Sequence, residues 1–177
     1  MLVATLISAS VLFAGTQFEP ANVYAATLFE DNFEDGDSVG WTVVNGTWTV
    51  VTDGTFVYRQ TSVSGEALAY YGNTNWTNYY VKARVKLNST TTGAASGVIA
   101  RYKDNNNYYI LRLHQSNQLQ LYKKSGGTFS LIGSCNTTVN TNAWYTLKLE
   151  VDGSSIKGYL DDMAAAKITV TDSSITN

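Results

Sequence analysis

The sequence has only one cysteine and one histidine, and each shortage excludes a class of functional site. Cys135 alone cannot form a disulfide within the chain, nor can it supply a cysteine-rich zinc site. His114 alone excludes any centre that needs two histidines. The chemistry of the protein must therefore rest mainly on other side chains.

Basic residues and catalytic motifs are also scarce. The 177 residues carry 12 Lys and Arg against 14 Asp and Glu, so the formal net charge is −2. Without a basic excess to neutralise phosphates, we expect no nucleic-acid partner. There is no G-x-S-x-G, no H-E-x-x-H and no phosphate loop. Glu150 and Asp152 begin the acid-x-acid-x-x-acid signature of many jelly-roll glycosidases, but Ser155 stands where the third acid should be, and Glu66 is isolated.

The only proline, Pro20, lies in a distinct N-terminal stretch. Residues 1–15 are apolar, uncharged and too few to span a bilayer comfortably. Small residues at Ala25 and Ala26, with Val23 before them, fit a signal-peptidase site. We therefore predict a signal peptide over 1–25 and one mature domain over 26–177. The protein would be secreted and free of the membrane after cleavage; the alternative is a buried N-terminal helix.

The rest of the chain is rich in aromatic residues and alternates with period two. In 80–87, apolar Val81, Ala83 and Val85 alternate with cationic side chains, as is typical of antiparallel strands with one solvated face. No mature segment has a convincing helical period, and Asp162–Ala166 is read as a turn. The pattern predicts an all-β fold, an antiparallel β-sandwich or jelly roll. Further strands are expected near 27–33, 47–52, 56–60, 66–71, 97–103, 107–114, 118–124, 128–133, 144–152, 155–160 and 166–171.

Two hairpins can be aligned from the pattern of leucines. Pairing Leu113 with Leu119 leaves 115–117 as a three-residue loop, with Asn117 suited to the left-handed position. Pairing Ala100 with Leu111 closes the preceding hairpin through 104–107. Directly opposed residues share a face. One face of these strands then carries Ile99, Arg101, Tyr108, Ile110, Arg112, His114, Gln118, Gln120 and Tyr122.

A broad face of Arg, Gln, His and Tyr suits a sugar polymer. Tyrosine offers a flat apolar ring with a polar tip, and Arg and Gln offer planar groups for hydroxyls or a uronate carboxylate. Among the tryptophans beside turns, Trp76 is the best candidate for a ligand contact. The alternative is an ordinary solvated face. Under either interpretation, Ile99 and Ile110 suggest that a loop partly covers the face. The candidate ligand-binding residues are Arg101, Tyr108, Arg112, His114, Gln120, Tyr122 and Trp76.

Five carboxylates are concentrated in residues 30–37. Hard oxygen ligands on a turn suit calcium, although the spacing is not that of an EF-hand. The candidate ligands are Asp31, Glu34, Asp35 and Asp37. The alternative is a solvated turn at Asp35-Gly36.

Several short motifs, taken together, resemble concanavalin A-like (laminin-G-like) jelly-roll modules attached to secreted bacterial pectate lyases and other polysaccharide-degrading enzymes. They are FEDNFEDG at 29–36 with Gly40-Trp41, GVIARY at 97–102, NYYIL at 107–111, LQLYK at 119–123 and WYTLKLEV at 144–151. The resemblance implies a non-catalytic carbohydrate-binding role and, in some relatives, calcium near the acidic turn. Such modules continue beyond the point that corresponds to Ile175, so the resemblance leaves open that the sandwich lacks its final strand and that a catalytic domain follows.

The leading interpretation is a secreted module that binds polysaccharide and tethers an enzyme, such as a pectate lyase, to its substrate. One alternative is catalysis on the same face, by a polysaccharide lyase or glycosidase that uses Arg112, His114 and Tyr122. Another is a structural module whose polar face packs on an adjoining catalytic domain.

Overall fold

The computed structural model describes residues 8–10, 27–62, 65–89 and 91–176. Every regular element in these ranges is a strand, and all the pairings are antiparallel, so the predicted all-β class is confirmed. The strands are β1 (Ser8–Ser10), β2 (Thr42–Asn45), β3 (Trp48–Thr52), β4 (Phe56–Gln60), β5 (Leu68–Tyr70), β6 (Tyr79–Lys86), β7 (Ala95–Asp104), β8 (Asn107–His114), β9 (Gln118–Ser125), β10 (Thr128–Asn136), β11 (Trp144–Asp152), β12 (Ser155–Leu160) and β13 (Ile168–Thr171).

Two sheets form the sandwich. The front sheet has the order β10-β9-β8-β7, and the back sheet has the order β1-β6-β11-β12-β13. Their inner faces supply alternate apolar residues to one core, which includes Leu111 and Leu121 from the front sheet and Val85, Leu147 and Leu149 from the back sheet. The period-two pattern therefore placed these core residues correctly, because alternate side chains of a strand point to the same face of the sheet.

The predicted strand at 27–33 is wrong. Phe33 is fully buried but adopts φ 59°, and its backbone N–H donates to Asp31 Oδ1 at 2.7 Å. This local bond from an Asx side chain competes with strand pairing and turns the chain. Phe33 instead anchors a small aromatic cluster with Tyr58 and Trp41. The short strand β2, which pairs with β5, was not foreseen.

The β8–β9 hairpin has the predicted register, whereas the β7–β8 hairpin does not. Leu113 pairs with Leu119, and Asn117 adopts φ 60° in the turn. In the other hairpin Asp104 pairs with Asn107, but an irregularity between Ala100 and Asp104 shifts the pairing by two residues, so Ala100 lies opposite Tyr109 rather than Leu111. A register shift of two residues keeps every side chain before the bulge on its predicted face of the sheet. Arg101 lies within the bulge at φ 49°, so its side chain does not follow the alternation.

The predicted signal peptide over 1–25 lies outside the described residues, apart from Ser8–Ser10. These three residues pair with Lys82, Val81 and Tyr80 at the edge of β6. No helix in the described ranges is long and apolar enough to cross a membrane.

Candidate functional site

The outer face of the front sheet presents its side chains in rows across the strands. Where the face is open, one row holds His114, Gln118 and Asn136, and the next holds Arg112, Gln120 and Ser134. A third row places Ile110 beside Tyr122 and Leu131. We call the set Arg112, His114, Gln118, Gln120 and Tyr122 the Arg112 face.

Arg112 is held in place at the centre of this face. Its Nε donates to Gln120 Oε1 at 3.1 Å, and its guanidinium lies 4.3 Å from the centre of the Tyr122 ring. Partial burial lowers the pKa of the guanidinium, while Tyr122 and then Glu66 oppose that shift. Its partner on β7 is Gly97, where a Cβ would lie 2.8 Å from the Arg112 Cβ. The lack of a side chain at Gly97 therefore gives Arg112 its position.

The amides beside Arg112 form a continuous ladder. Gln120 Nε2 donates to Gln118 Oε1 at 2.9 Å, and Gln118 Nε2 donates to Asn136 Oδ1 at 3.4 Å. Because each amide is oriented by the next, the ladder offers donors and acceptors in fixed directions. Such an arrangement suits hydroxyl groups, which both donate and accept hydrogen bonds.

His114 is tied to its own turn. Its Nδ1 lies 2.6 Å from Ser116 Oγ and accepts from the Ser116 backbone N–H at 3.2 Å. Burial, and then the charge of Arg112, lowers the pKa of His114. The neutral imidazole is therefore favoured, and the bond from the Ser116 N–H to Nδ1 leaves Nε2 as its donor.

Two charged residues that the sequence analysis did not select border this face. Lys124 Nζ pairs with Glu66 at 2.8 Å and lies over the rings of Tyr108 and Phe129, at 5.4 and 4.9 Å. Glu66 comes from the segment before β5 and was treated as isolated, because only the tertiary fold brings it to the front sheet. Lys124 could have been found from the sequence, because it continues the alternation of Gln118, Gln120 and Tyr122 along β9 and so lies on the same face.

Part of the outer face is covered. Leu68 of β5 and Val44 of β2 pack over Tyr108 and Ile110, so the expected cover over the isoleucines is present. Tyr108 is fully buried, and its hydroxyl has no hydrogen-bond partner among the described residues. Tyr108 is therefore not a surface contact as predicted but part of the support beneath the site.

Arg101 and Trp76 do not join the Arg112 face. Arg101 is 2% exposed and donates to the backbone carbonyls of Thr77, Gly153 and Ile175, because the β7 bulge turns it away from the face. Trp76 packs edge-on against Tyr79, with ring centres 5.9 Å apart, and borders a small aromatic pocket of about 50 Å³. Of the seven predicted ligand-binding residues, the structure groups Arg112, His114, Gln120 and Tyr122.

The acidic turn does not gather its carboxylates around one point. Asp31 accepts from Phe33 N–H and from Trp41 Nε1, Glu34 accepts from Thr55 and Phe56, and Asp35 and Asp37 each accept a local backbone N–H. No cluster of three or more potential metal ligands occurs within 27–62, 65–89 and 91–176. Calcium at Asp31, Glu34, Asp35 and Asp37 therefore stays a prediction of the sequence alone.

Comparison with known proteins identifies the family of this chain. The 3-keto-alpha-glucoside-1,2-lyase-like domain matches residues 26–177. The chain belongs to this family. The match covers most of the chain, and it includes every residue of the Arg112 face.

Two further proteins are similar to this member of the family. A levanase of Bacillus subtilis (strain 168) is 28% identical over 141 residues, which cover 79% of the chain but only 20% of the levanase. The chain therefore spans about a fifth of this curated relative. The solved structure of the carbohydrate binding module CBM66 from Bacillus subtilis matches with a TM-score of 0.68 and 26% identity, over 77% of this chain and 82% of that one. The likeness confirms the β-sandwich.

Proposed function

We propose that this domain is a carbohydrate-binding module that holds a polysaccharide-degrading enzyme on its substrate. The observation that carries the proposal is the match to a carbohydrate-binding module over most of both chains. The Arg112 face supports it, because this face combines an aromatic ring, a fixed guanidinium and oriented amides on one partly exposed surface.

Binding on this face would use two kinds of contact. The unpaired N–H groups of Arg112 and the amide ladder would hydrogen-bond sugar hydroxyls, while Tyr122 and the exposed Phe129 and Leu131 would cover the apolar side of a sugar ring. We expect modest affinity, because a shallow polar face must lose much of its hydration to bind.

The finer assignments are also proposals. We place the module outside the cell on the strength of the predicted signal peptide. The enzyme that it serves is proposed to act on a plant or microbial polysaccharide. The sequence resemblance favours a pectate lyase, whereas the curated relative is a levanase. Pectin and fructan are therefore the first ligands to test.

A plate-bound polysaccharide array tests the proposed function directly. The purified protein is applied to pectin, homogalacturonan, xylan, glucan and fructan, with calcium and with EDTA. Selective binding to one polymer is expected. A folded protein that binds none of them would contradict the proposal and favour a module that packs on another domain. Loss of binding in EDTA would support the calcium prediction, and unchanged binding would contradict it.

A second candidate function is catalysis on the same face. The family takes its description from a lyase acting on 3-keto-alpha-glucosides. His114 and Arg112 lie on the same face of β8, and Tyr122 lies on the adjacent strand β9. The protein is incubated with a 3-keto-glucoside and with homogalacturonan, and the products are followed by chromatography and ultraviolet absorbance. Turnover that disappears in His114→Ala would support catalysis, and binding without turnover would support the module.

A further inference from the structure

Arg101 links two loop segments away from the Arg112 face. Its Nε donates to Thr77 O at 3.1 Å, and its Nη2 donates to Gly153 O at 2.6 Å. The side chain is almost completely buried and has no carboxylate bonded to it in the described ranges. Asn78 Oδ1 adds a bond from Gly153 N–H at 2.9 Å. The segment before β6 and the β11–β12 turn are thus fixed to each other.

A groove of about 200 Å³ opens beside these two segments, on the outer face of the back sheet. Tyr80 of β6 and Glu150 of β11 form its floor as a directly opposed pair. Asn78 and Asp152 stand at the end that Arg101 holds in place. The groove therefore lies on the sheet opposite the Arg112 face, and its shape is set before any ligand binds.

The charged groups Lys148 and Glu150 of the groove are held in place by their neighbours. Glu150 accepts from Lys157 at 3.1 Å, from Tyr159 at 3.3 Å and from Lys148 at 3.4 Å. The Lys148 ammonium lies 3.6 Å from the centre of the Tyr159 ring and 5.6 Å from that of Tyr80. Burial alone would raise the pKa of Glu150, but the bond from Lys157 and the charge of Lys148 outweigh it and lower the pKa.

The groove offers what a polyhydroxylated ligand needs. The half-buried Tyr80 presents ring surface, Lys148 supplies donors, and Glu150 supplies acceptors. Asp152 is exposed, and its carboxylate accepts no hydrogen bond from any described residue, so it is open to a ligand hydroxyl. The groove lining holds one cation, Lys148, against the carboxylates of Glu150 and Asp152, so it gives a polyanion no net attraction.

We infer that this groove is a second binding site, which takes a neutral saccharide independently of the Arg112 face. This inference rests on the proposed function only in taking a saccharide as the ligand. Arg101 acts in it as a positioning residue that holds the ends of the groove together.

Amide chemical-shift mapping of the labelled protein by NMR tests the inference. The probes are short neutral oligosaccharides of fructose, glucose and xylose, with oligogalacturonate as the charged comparison. We expect two separate groups of shifted amides, one around Arg112 and one around Tyr80 and Glu150. Tyr80→Ala and Asp152→Ala should each abolish the second group and keep the first. Arg84→Ala, an exposed change on the same strand as Tyr80, should keep both.

The possible results separate the second site from the proposed function. Shifts confined to the Arg112 face with every neutral probe would overturn the second site and leave the module intact. Shifts in the groove with oligogalacturonate alone would overturn its assignment to a neutral saccharide. No shifts on either sheet would contradict both. Asp152→Ala controls for misfolding, because the Asp152 side chain is exposed and its carboxylate makes no hydrogen bond in the described ranges.

Discussion

Arg101 and Arg112 show how strongly local environment decides the role of one residue type. Arg112 is partly exposed, with one amide partner and an aromatic ring beside it, so several of its donors remain unpaired among the described residues. Arg101 is buried and binds three backbone carbonyls, so its donors are used within the fold. Planar donors in a fixed fork suit both roles.

Removing Arg101 should destabilise the fold. We expect Arg101→Ala to lower the free energy of unfolding by about 2–4 kcal/mol, because three backbone carbonyls, that of buried Ile175 among them, lose a charged donor. Arg101→Lys should not rescue it, since one ammonium cannot reach three separated carbonyls. Urea unfolding followed by fluorescence measures both, with exposed Arg84→Ala as the control. An unchanged midpoint for Arg101→Ala would show that these bonds do not hold the fold.

The titration of His114 should report the charge of Arg112. We expect a pKa below 6.5, because burial and then the Arg112 guanidinium disfavour the imidazolium. Arg112→Ala should raise this pKa, since the repulsion is removed while much of the burial remains. NMR titration of the single histidine gives both values. An identical pKa in the two proteins would mean that the guanidinium does not face His114.

At the scale of elements, the β8–β9 turn depends on Asn117. This residue combines φ 60° with a bond from Val139 N–H to its side chain at 2.9 Å and one from Thr137 N–H to its carbonyl at 3.0 Å. Asparagine tolerates the left-handed region better than alanine and offers an acceptor as well. The turn therefore also fixes the chain that leaves β10.

Two changes separate these contributions of Asn117. Asn117→Gly relieves the backbone but loses the side-chain acceptor, so we expect a loss of about 1 kcal/mol in stability. Asn117→Ala loses both, and we expect about 2 kcal/mol. Thermal unfolding ranks the two variants. Equal stability of Asn117→Ala and Asn117→Gly would contradict the backbone part of this explanation.

The same element shows how far the sequence predicts this structure. Asn117 and the flanking leucines encode the β8–β9 register locally, so the opposition of Arg112 to Gln120 could be predicted. The bulge at Arg101 has no local signal, because its bonds go to residues distant in sequence. Glu66 was missed for the same reason, since its partner Lys124 lies on β9, far away in the sequence. Local sequence patterns therefore determine the strand pairing and the face on which each side chain lies. Contacts between residues distant in sequence determine which residues border the Arg112 face.

At the scale of the whole molecule, Asp172 fastens the chain after β13 to the front sheet. Its carboxylate accepts from Tyr109 at 2.7 Å and pairs with Lys123 at 2.6 Å, and Ser174 adds local bonds. Burial alone would raise the pKa of Asp172, but these bonds outweigh it and hold the pKa well below the ordinary 3.8. Both sheets are therefore linked through one ionised side chain.

Acid should weaken this link. A carboxyl group whose pKa is lowered by folding stabilises the protein fully above its unfolded pKa and loses that contribution as pH falls towards the folded value. We expect the melting temperature to drop from pH 5 to pH 2, more for the wild type than for Asp172→Asn, which is already destabilised at pH 7. Calorimetry across this range measures it. Parallel pH profiles for the two proteins would exclude Asp172 as a source of the dependence.

The central claim is that the Arg112 face binds carbohydrate, and calorimetric titration of Arg112→Ala tests it most directly. The ligand is the polysaccharide that the wild type selects on the array, and Arg84→Ala on the opposite sheet is the matched control. We predict at least a tenfold loss of affinity for Arg112→Ala, about 1.4 kcal/mol, with an unchanged melting temperature and an unaffected control. Wild-type affinity in a folded Arg112→Ala protein would contradict it.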